Sequence, residues 1–304
     1  MGRQETKHSS SRQRSQAQRV TSQREAEPGQ GTKLLSSAEL QLVKKDMKSI
    51  WTRSSRRALL VLLPVMLVVV IPAVYFVLIL LMPEAPGARP PEALTALLPE
   101  YVSGLGYKQG WLVIFTDLLC PMLFLCVPIL TGAASASYAF VMERESGTLE
   151  TLLLTSMGPK SVFNAKTTSC TVLSVLISGA GFLAFALTVT VADVFAEVRL
   201  FFTLDWLILL VLEMPTLSLF SVVFVALTVT RVHSTVESLQ TMGYLILPVA
   251  AIYLMQLTGI FRLNIIALIL ISAALAVLDV VFFNAASRGF TPEKLLERDG
   301  VGEE

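Results

Sequence analysis

Six long apolar runs divide the chain, and each is long enough to cross a lipid bilayer as a helix. A membrane-spanning helix needs about 20 predominantly apolar residues. The pattern predicts spans at 58–82, 111–133, 167–191, 206–230, 239–258 and 263–284. Only a few residues separate the fifth run from the sixth, so a re-entrant hairpin over residues 255–265 stays open as an alternative to two full spans.

The stretch before the first run has the periodicity of an amphipathic helix. Its apolar positions recur at helical spacing: Leu40, Val43, Met47 and Ile50. Lysines occupy the other side: Lys44, Lys45 and Lys48. Ser36 and Glu39 fit a capping box at the helix start, and Trp51 adds an aromatic anchor. A basic amphipathic helix of this kind is typical of the membrane interface, and a helix packed on a soluble partner is the alternative.

Composition agrees with a membrane protein. The chain is 54% hydrophobic, its mean hydropathy is +0.66, and only 15% of its residues are charged, against about 25% in soluble domains. We therefore predict an all-α polytopic membrane protein. Its predicted domains are a disordered cytoplasmic tail (1–35), the amphipathic helix (36–57), the membrane domain (58–284) and a cytoplasmic tail (285–304).

The basic residues predict the orientation of the spans. All but four of the 24 Lys and Arg residues fall on one side of the predicted membrane, the exceptions being Arg89, Lys108, Arg199 and Arg262. Loops rich in Lys and Arg stay on the cytoplasmic side. Both termini are therefore predicted to be cytoplasmic, in a multi-pass protein of the plasma membrane.

A charged stretch, ERESGTLETLLLTS (143–156), separates the second and third runs. Gly147 offers a break, and Thr148 can cap a helix whose first turn holds Glu150. Leu149, Leu152 and Leu153 then share one face, and Pro159 provides a stop. The pattern predicts a short cytoplasmic helix. From the residues alone, an interfacial helix that merely covers a loop fits as well.

The run MERESGTLETLLLTSMGPKSVFNAK resembles the signature of ABC-2 type transporter permeases. In that family a Glu-Arg-Glu-x-Gly-Thr-x-Glu-x-Leu-Leu-x-Thr stretch follows the second span. The helix before the first span is similar to the family's N-terminal elbow helix, and RVHSTVESLQTMGYLILP and FFNAASRGFTPEKLL resemble later family segments. The resemblance covers about residues 38–296. One departure is Ser156-Met157, where many members have a proline.

The resemblance implies the membrane subunit of an exporter. Such a subunit dimerises, as a homodimer or with a second permease, and docks ABC ATPase subunits that bind ATP and Mg; the chain itself would hold no cofactor. The helix after the second span would couple it to the ATPase. The residues that match the motif are Glu143, Arg144, Glu145, Gly147, Thr148, Leu149, Glu150, Leu152, Leu153 and Thr155.

Three acidic residues lie inside the predicted spans: Asp117, Glu213 and Asp279. Ionisable groups within a bilayer usually face a bundle interior or an aqueous cavity. They are candidates for a transport pathway, and Glu213, well inside its span, is the foremost of them. A neutral or hydrogen-bonded packing acid beside Pro215 and Thr216 is the alternative reading of Glu213.

Several functions lack their usual signals in the sequence. No G-x-x-x-x-G-K-[ST] phosphate loop occurs, and the two histidines do not suggest a metal site. The chain is thus predicted not to be an enzyme, and its expected surroundings are the lipid bilayer rather than nucleic acid. Two other functions stay open: an ion-coupled secondary transporter using Glu213 and Asp279, and a non-transporting membrane scaffold. No convincing internal repeat supports the former.

Overall fold

Helices make up the regular structure of the chain. The computed structural model describes residues 37–83, 89–147, 158–229, 234–258 and 264–289, and no strand occurs among them. Helix α1 is Ser37–Thr52. Six further helices are long and apolar enough to cross a membrane: α2 Ser54–Leu81, α3 Tyr107–Glu145, α4 Pro159–Phe195, α5 Leu204–Thr228, α6 Thr235–Leu257 and α7 Ile265–Gly289. The predicted all-α, six-span membrane protein is confirmed.

The helices extend beyond the apolar runs that predicted them. Helix α3 continues to Glu145 and helix α4 begins already at Pro159, because a helix need not end where its sequence leaves the apolar layer. Helices α6 and α7 are each long and apolar enough to span, and residues 259–263, the middle of the segment for which a re-entrant hairpin was the alternative, lie outside the described residues. Two short elements, Glu92–Thr95 and the 3₁₀ turn Glu100–Gly104, lie between α2 and α3.

Helix α1 is distinct from α2, because Arg53 between them has an extended backbone (φ −78°, ψ 122°). The residues of the apolar face predicted for α1 differ in how far they are buried within the chain. Val43 and Ile50 are buried, but Leu40 is 46% exposed. Asp46, an acid, lies in the buried stripe instead and is only 3% exposed. A buried lysine of α4, described below, explains why an acidic side chain is accepted there.

Helix α3 lies at the centre of the bundle. In its most apolar stretch of 18 residues 78% is buried, a larger share than in any other span. Helices α3 and α5 approach each other closely at Gly132. A Cβ atom there would lie 2.1 Å from Ser221 Oγ and 2.9 Å from Ser218 O. Only glycine lets α3 and α5 approach so closely. Gly179 in α4 is less tightly packed, since nothing lies within 4 Å of a Cβ built there.

A π-helical turn precedes a proline in three of the spans. These turns are Met66–Val70, Phe115–Leu119 and Leu209–Glu213, and the prolines follow at Pro72, Pro121 and Pro215. Proline lacks the N–H that would bond four residues back, and its ring crowds that carbonyl. A widened turn relieves the conflict without ending the helix. Two of the intramembrane acids, Asp117 and Glu213, lie within these turns.

Large apolar side chains cover much of the outer surface of the spans. Leu81, Leu187 and Leu270 are among the most exposed. Among the six spans, helices α2, α6 and α7 are those whose most apolar stretches are least buried. In water such a surface would be unfavourable, whereas in a bilayer the lipid chains cover it.

Candidate functional site

A buried ion cluster connects the two ends of the segment between α3 and α4. The side chain of Lys166 in α4 is 0% exposed, and its Nζ donates to Glu143 Oε2 of α3 at 2.6 Å. Nζ also donates to Asp46 Oδ2 of α1 at 3.4 Å and to the Ala139 carbonyl oxygen at 3.0 Å. Ala139 belongs to a fourth π-helical turn, Ser137–Val141. One ammonium group thus connects three helices.

The cluster holds two carboxylates and one cation, so its members are not equivalent. Glu143 makes the shorter contact with Lys166 and is partly exposed, at 27%. Asp46 is almost fully buried, and its contact is longer. Burial raises the pKa of Asp46 above its ordinary value of 3.8, while the positive charge of Lys166 opposes that rise. The Glu143–Lys166 pair is therefore the main ion pair, and Asp46 is the member that is costly to ionise.

Arg144 and Glu145 contact two different helix ends. Arg144 Nη1 donates to the carbonyl oxygen of Val229 at 2.6 Å, at the carboxyl end of α5. Glu145 Oε2 accepts from the backbone N–H of Thr235 at 3.1 Å and from its hydroxyl at 2.7 Å, at the amino end of α6. A cation favours the negative end of a helix dipole and an anion favours the positive end. The positive charge of Arg144 thus complements the carboxyl end of α5, and the negative charge of Glu145 complements the amino end of α6.

We call Glu143, Arg144, Glu145 and Lys166, together with Asp46, the charged junction. Its residues join α1, α3, α4, α5 and α6 on the side of the molecule where α3 ends and α4 begins. The resemblance to the permease family implied that residues 143–145 belong to the segment that couples the chain to an ATPase. The structure also gives them contacts within the chain, which periodicity did not reveal.

The backbone changes direction directly after the charged junction. Helix α3 ends at Glu145, and Gly147 follows with φ of +68°, a left-handed conformation that favours glycine at a helix end. Helix α4 begins at Pro159, with Gly158 before it. Pro159, predicted to stop the short helix, is thus the first residue of the next one, a position that proline favours. The predicted coupling residues Thr148, Leu149, Glu150, Leu152, Leu153 and Thr155 lie outside the described residues.

Glu213 lies inside the bundle of a single chain. It is 2% exposed and borders a cavity of about 110 Å³ whose other walls are apolar or aromatic, from α3, α5, α6 and α7. Its Oε1 atom has no hydrogen-bond partner among the described residues. Thr216, which the packing alternative placed beside it, donates to backbone carbonyls of Leu212 and Glu213 rather than to the carboxylate. The carboxyl group therefore lies in an apolar environment.

Asp279 lies in a different place, a groove of about 400 Å³ between α4, α5 and α7. It is buried, and neither carboxylate oxygen has a hydrogen-bond partner among the described residues. The hydroxyl groups of Thr167 and Thr171, one helical turn apart on α4, line the same groove and also lack partners there.

Asp117 lines a larger cavity of about 750 Å³ at the opposite end of the spans from the charged junction. Asp193 of α4 and Asp205 of α5, which were not among the predicted pathway residues, line it too. Tyr101 borders the same cavity; burial, and then the charge of Asp117, raise the pKa of Tyr101, so its phenol stays neutral. Within the described part of the chain, the three predicted pathway acids thus border three different cavities.

Lys166 lies just outside the third span predicted from the sequence (167–191). In the structure it lies in the second turn of α4, with its side chain fully buried. The sequence does contain a signal for the pairing of Glu143 with Lys166. The two residues carry opposite charges, and they stand where the second apolar run ends and the third begins.

Comparisons of the chain with protein-family profiles, with curated proteins and with solved structures found no match. The class of protein is therefore defined by the fold alone: a multi-pass, all-α membrane protein with six helices able to span a bilayer. Its activity is inferred from the charged junction and from the motif that contains it.

Proposed function

We propose that the chain is the permease subunit of an ATP-binding cassette transporter of the ABC-2 type, which exports a substrate across the cell membrane. A separate ATPase subunit would bind ATP and Mg and supply the energy. The segment 148–157 would be the coupling helix, and the chain would form a dimer with itself or with a second permease. Both termini would be cytoplasmic.

The observation that carries this proposal is the charged junction. A coupling helix must transmit movement of the ATPase to the spans, and this needs rigid contacts at both of its ends. Glu143 and Lys166 pair directly across the segment at 2.6 Å. Arg144 and Glu145 hold the ends of α5 and α6 beside it. A force applied to residues 148–157 would therefore reach α1 and four spans through ionic and hydrogen-bonded contacts.

The surface of the spans is compatible with the proposed dimer. Helices α2, α6 and α7 expose apolar side chains, which either lipid or a second permease would cover.

Co-purification tests the proposed partner. The tagged chain, solubilised from membranes of its own organism, should retain a protein that carries a phosphate loop and hydrolyses ATP. Leu153→Asp should abolish this retention, because a charge at an apolar contact costs several kcal/mol (roughly 3–5 for an uncompensated buried charge). The control is Glu92→Lys, at an exposed position on the other end of the molecule. Equal retention by Leu153→Asp and wild type would contradict the proposed docking.

An ion-coupled secondary transporter is the second candidate, because Asp279 and Glu213 are buried acids. Both carboxylate oxygens of Asp279 and Oε1 of Glu213 lack partners among the described residues. Such acids often bind protons or cations in transporters. Transport by the chain alone, abolished by an ionophore and indifferent to ATP, would support this candidate over the ABC permease.

A further inference from the structure

The large cavity that Asp117 borders has the size and position of a ligand site. Its volume of about 750 Å³ lies within the range of small-molecule sites, about 300–1,000 Å³. Its walls come from the first half of α3, the first turns of α5, the last turns of α4 and α6, the start of α7, the segment 199–203 between α4 and α5, and the segment around Leu97–Tyr101. Several elements thus converge on one space at the end opposite the charged junction.

The charged groups around the cavity are mainly acidic. Asp117, Asp193 and Asp205 line it, against a single cation, Arg199. None of the four takes part in an ion pair within 4 Å among the described residues. Asp193 Oδ2 accepts from the backbone N–H of Phe201 at 3.0 Å, whereas Asp205 Oδ1 is buried without a partner in the described part of the chain. Acidic groups therefore outnumber basic groups in the lining of the cavity.

A second observation, independent of the acids, comes from α6. Gln256 is only 6% exposed and lines the cavity, and its Oε1 atom has no hydrogen-bond donor among the described residues. A buried acceptor without a donor is destabilising. A ligand that donates a hydrogen bond at this point would remove the cost. Asp205 Oδ1 on α5 and Gln256 Oε1 on α6 are thus two acceptors that require donors from within the cavity.

The remaining walls are apolar or aromatic and indicate that the rest of the ligand is hydrophobic. Leu209 and Ile265 are apolar, and the rings of Phe201 and Trp206 also border the space. Aromatic faces attract organic cations as well as apolar groups. A small hydrated metal ion would not use these walls, whereas a molecule with an apolar body and a cationic group would use both halves.

We propose that this cavity binds a hydrophobic organic amine in its protonated form. Asp117 and Asp205 are the counter-ions of the ammonium group, and Gln256 Oε1 accepts a hydrogen bond from one of its N–H groups. Phe201 and Trp206 contact the apolar body. Binding itself needs no ATPase. That the bound amine is also the exported substrate is a further step, which depends on the proposed function.

A matched series of three compounds tests the charge requirement on the wild-type chain. The probes are 3,3-diphenylpropylamine, the corresponding alcohol and the corresponding carboxylate, titrated calorimetrically into the detergent-solubilised, full-length protein at neutral pH. The amine should bind about tenfold or more tightly than either analogue, because a hydrogen bond to a charged group contributes about 1.5–3 kcal/mol. Absence of amine binding, or equal binding of amine and alcohol, would overturn the proposal.

Three variants locate the binding. Asp205→Asn and Gln256→Leu should each weaken amine binding by about tenfold, for the same reason, while Glu92→Gln, an exposed acid outside the cavity, should bind like wild type. Unchanged affinity in both cavity variants would overturn the assignment. Melting temperatures identify any variant that has lost its fold, and the compound series on wild type then decides. Since no ATPase is present, loss of ATPase docking leaves this result unaffected, and the two proposals fail separately.

Discussion

At the scale of single residues, the unusual feature is a fully buried lysine that faces two carboxylates. Placing charges away from water costs several kcal/mol per ion unless partners with good geometry compensate. Lys166 has three acceptors, from Glu143, Asp46 and Ala139. A stable fold alone does not require such a cluster, since well-packed apolar residues are often as stabilising. We infer that the cluster fixes the relative positions of α1, α3 and α4.

Removing the cation should be far more harmful than removing one of its acids. Lys166→Met removes the cation that faces the buried Asp46 carboxylate and the 2.6 Å contact of Glu143, and we expect the free energy of unfolding to fall by about 3–5 kcal/mol. Asp46→Asn retains an oxygen acceptor for Lys166 and removes the excess negative charge, so stability at neutral pH should change little or rise. Melting temperatures of the solubilised proteins measure both effects.

The pH dependence of stability provides a further check on Asp46. Its folded-state pKa is raised above 3.8, so the folded state binds more protons than the unfolded state in the window above that value. The stabilising contribution is complete below pH 3.8 and is lost as pH rises through the folded pKa. Asp46→Asn should flatten this part of the melting profile. A larger stability loss in Asp46→Asn than in Lys166→Met would contradict the account of the cluster.

At the scale of elements, helix α3 organises the bundle through its small residues and hydroxyl groups. Thr131 Oγ1 and Ser174 Oγ lie 2.8 Å apart, and Ser174 Oγ donates to Ser218 Oγ at 3.1 Å, so hydrogen bonds link α3, α4 and α5 beside Gly132. Bonds of this kind contribute about 0.6 kcal/mol on average within membranes. The close approach at Gly132 makes them possible.

A methyl group at position 132 should therefore separate α3 from α5. Gly132→Ala places a Cβ atom 2.1 Å from Ser221 Oγ and 2.9 Å from a backbone oxygen that cannot easily move. We expect a loss of about 1–3 kcal/mol, the usual cost of overpacking. Gly179→Ala is the matched control, because nothing lies within 4 Å of its Cβ. Similar melting temperatures for the two variants would show that the contact does not determine the packing.

At the scale of the whole molecule, the helices could be predicted from sequence and most of the charged junction could not. Runs of apolar residues identify spans because the bilayer sets their length. The burial of Lys166 and Asp46 depends on which helices become neighbours, and the short-range periodicity that located α1 carries no such information. The exposure of Leu40 likewise depends on which face of α1 turns toward α4, and periodicity does not reveal that face. The acids Asp193 and Asp205 likewise join Asp117 only in the folded chain.

The orientation in the membrane is a further property of the whole molecule. The distribution of Lys and Arg predicts that single cysteines introduced at Pro91 and Glu197 react with a membrane-impermeant maleimide added outside intact cells. A cysteine at Ser146 should react only after the membrane is permeabilised. The native cysteines Cys120, Cys126 and Cys170 are buried, so the background should be low. Labelling at Ser146 from outside would reverse the proposed topology.

The central claim is that residues 143–166 transmit the action of an ATPase to the spans, and ATP hydrolysis in the reconstituted complex tests it most directly. The chain and its co-purified ATPase are incorporated into liposomes, and hydrolysis is compared with that of the ATPase alone. We expect the wild-type chain and the Glu92→Lys control to change the rate of hydrolysis to the same extent. Leu153→Asp, inserted at equal amounts, should leave the rate at that of the ATPase alone. A wild-type rate with Leu153→Asp would contradict the account.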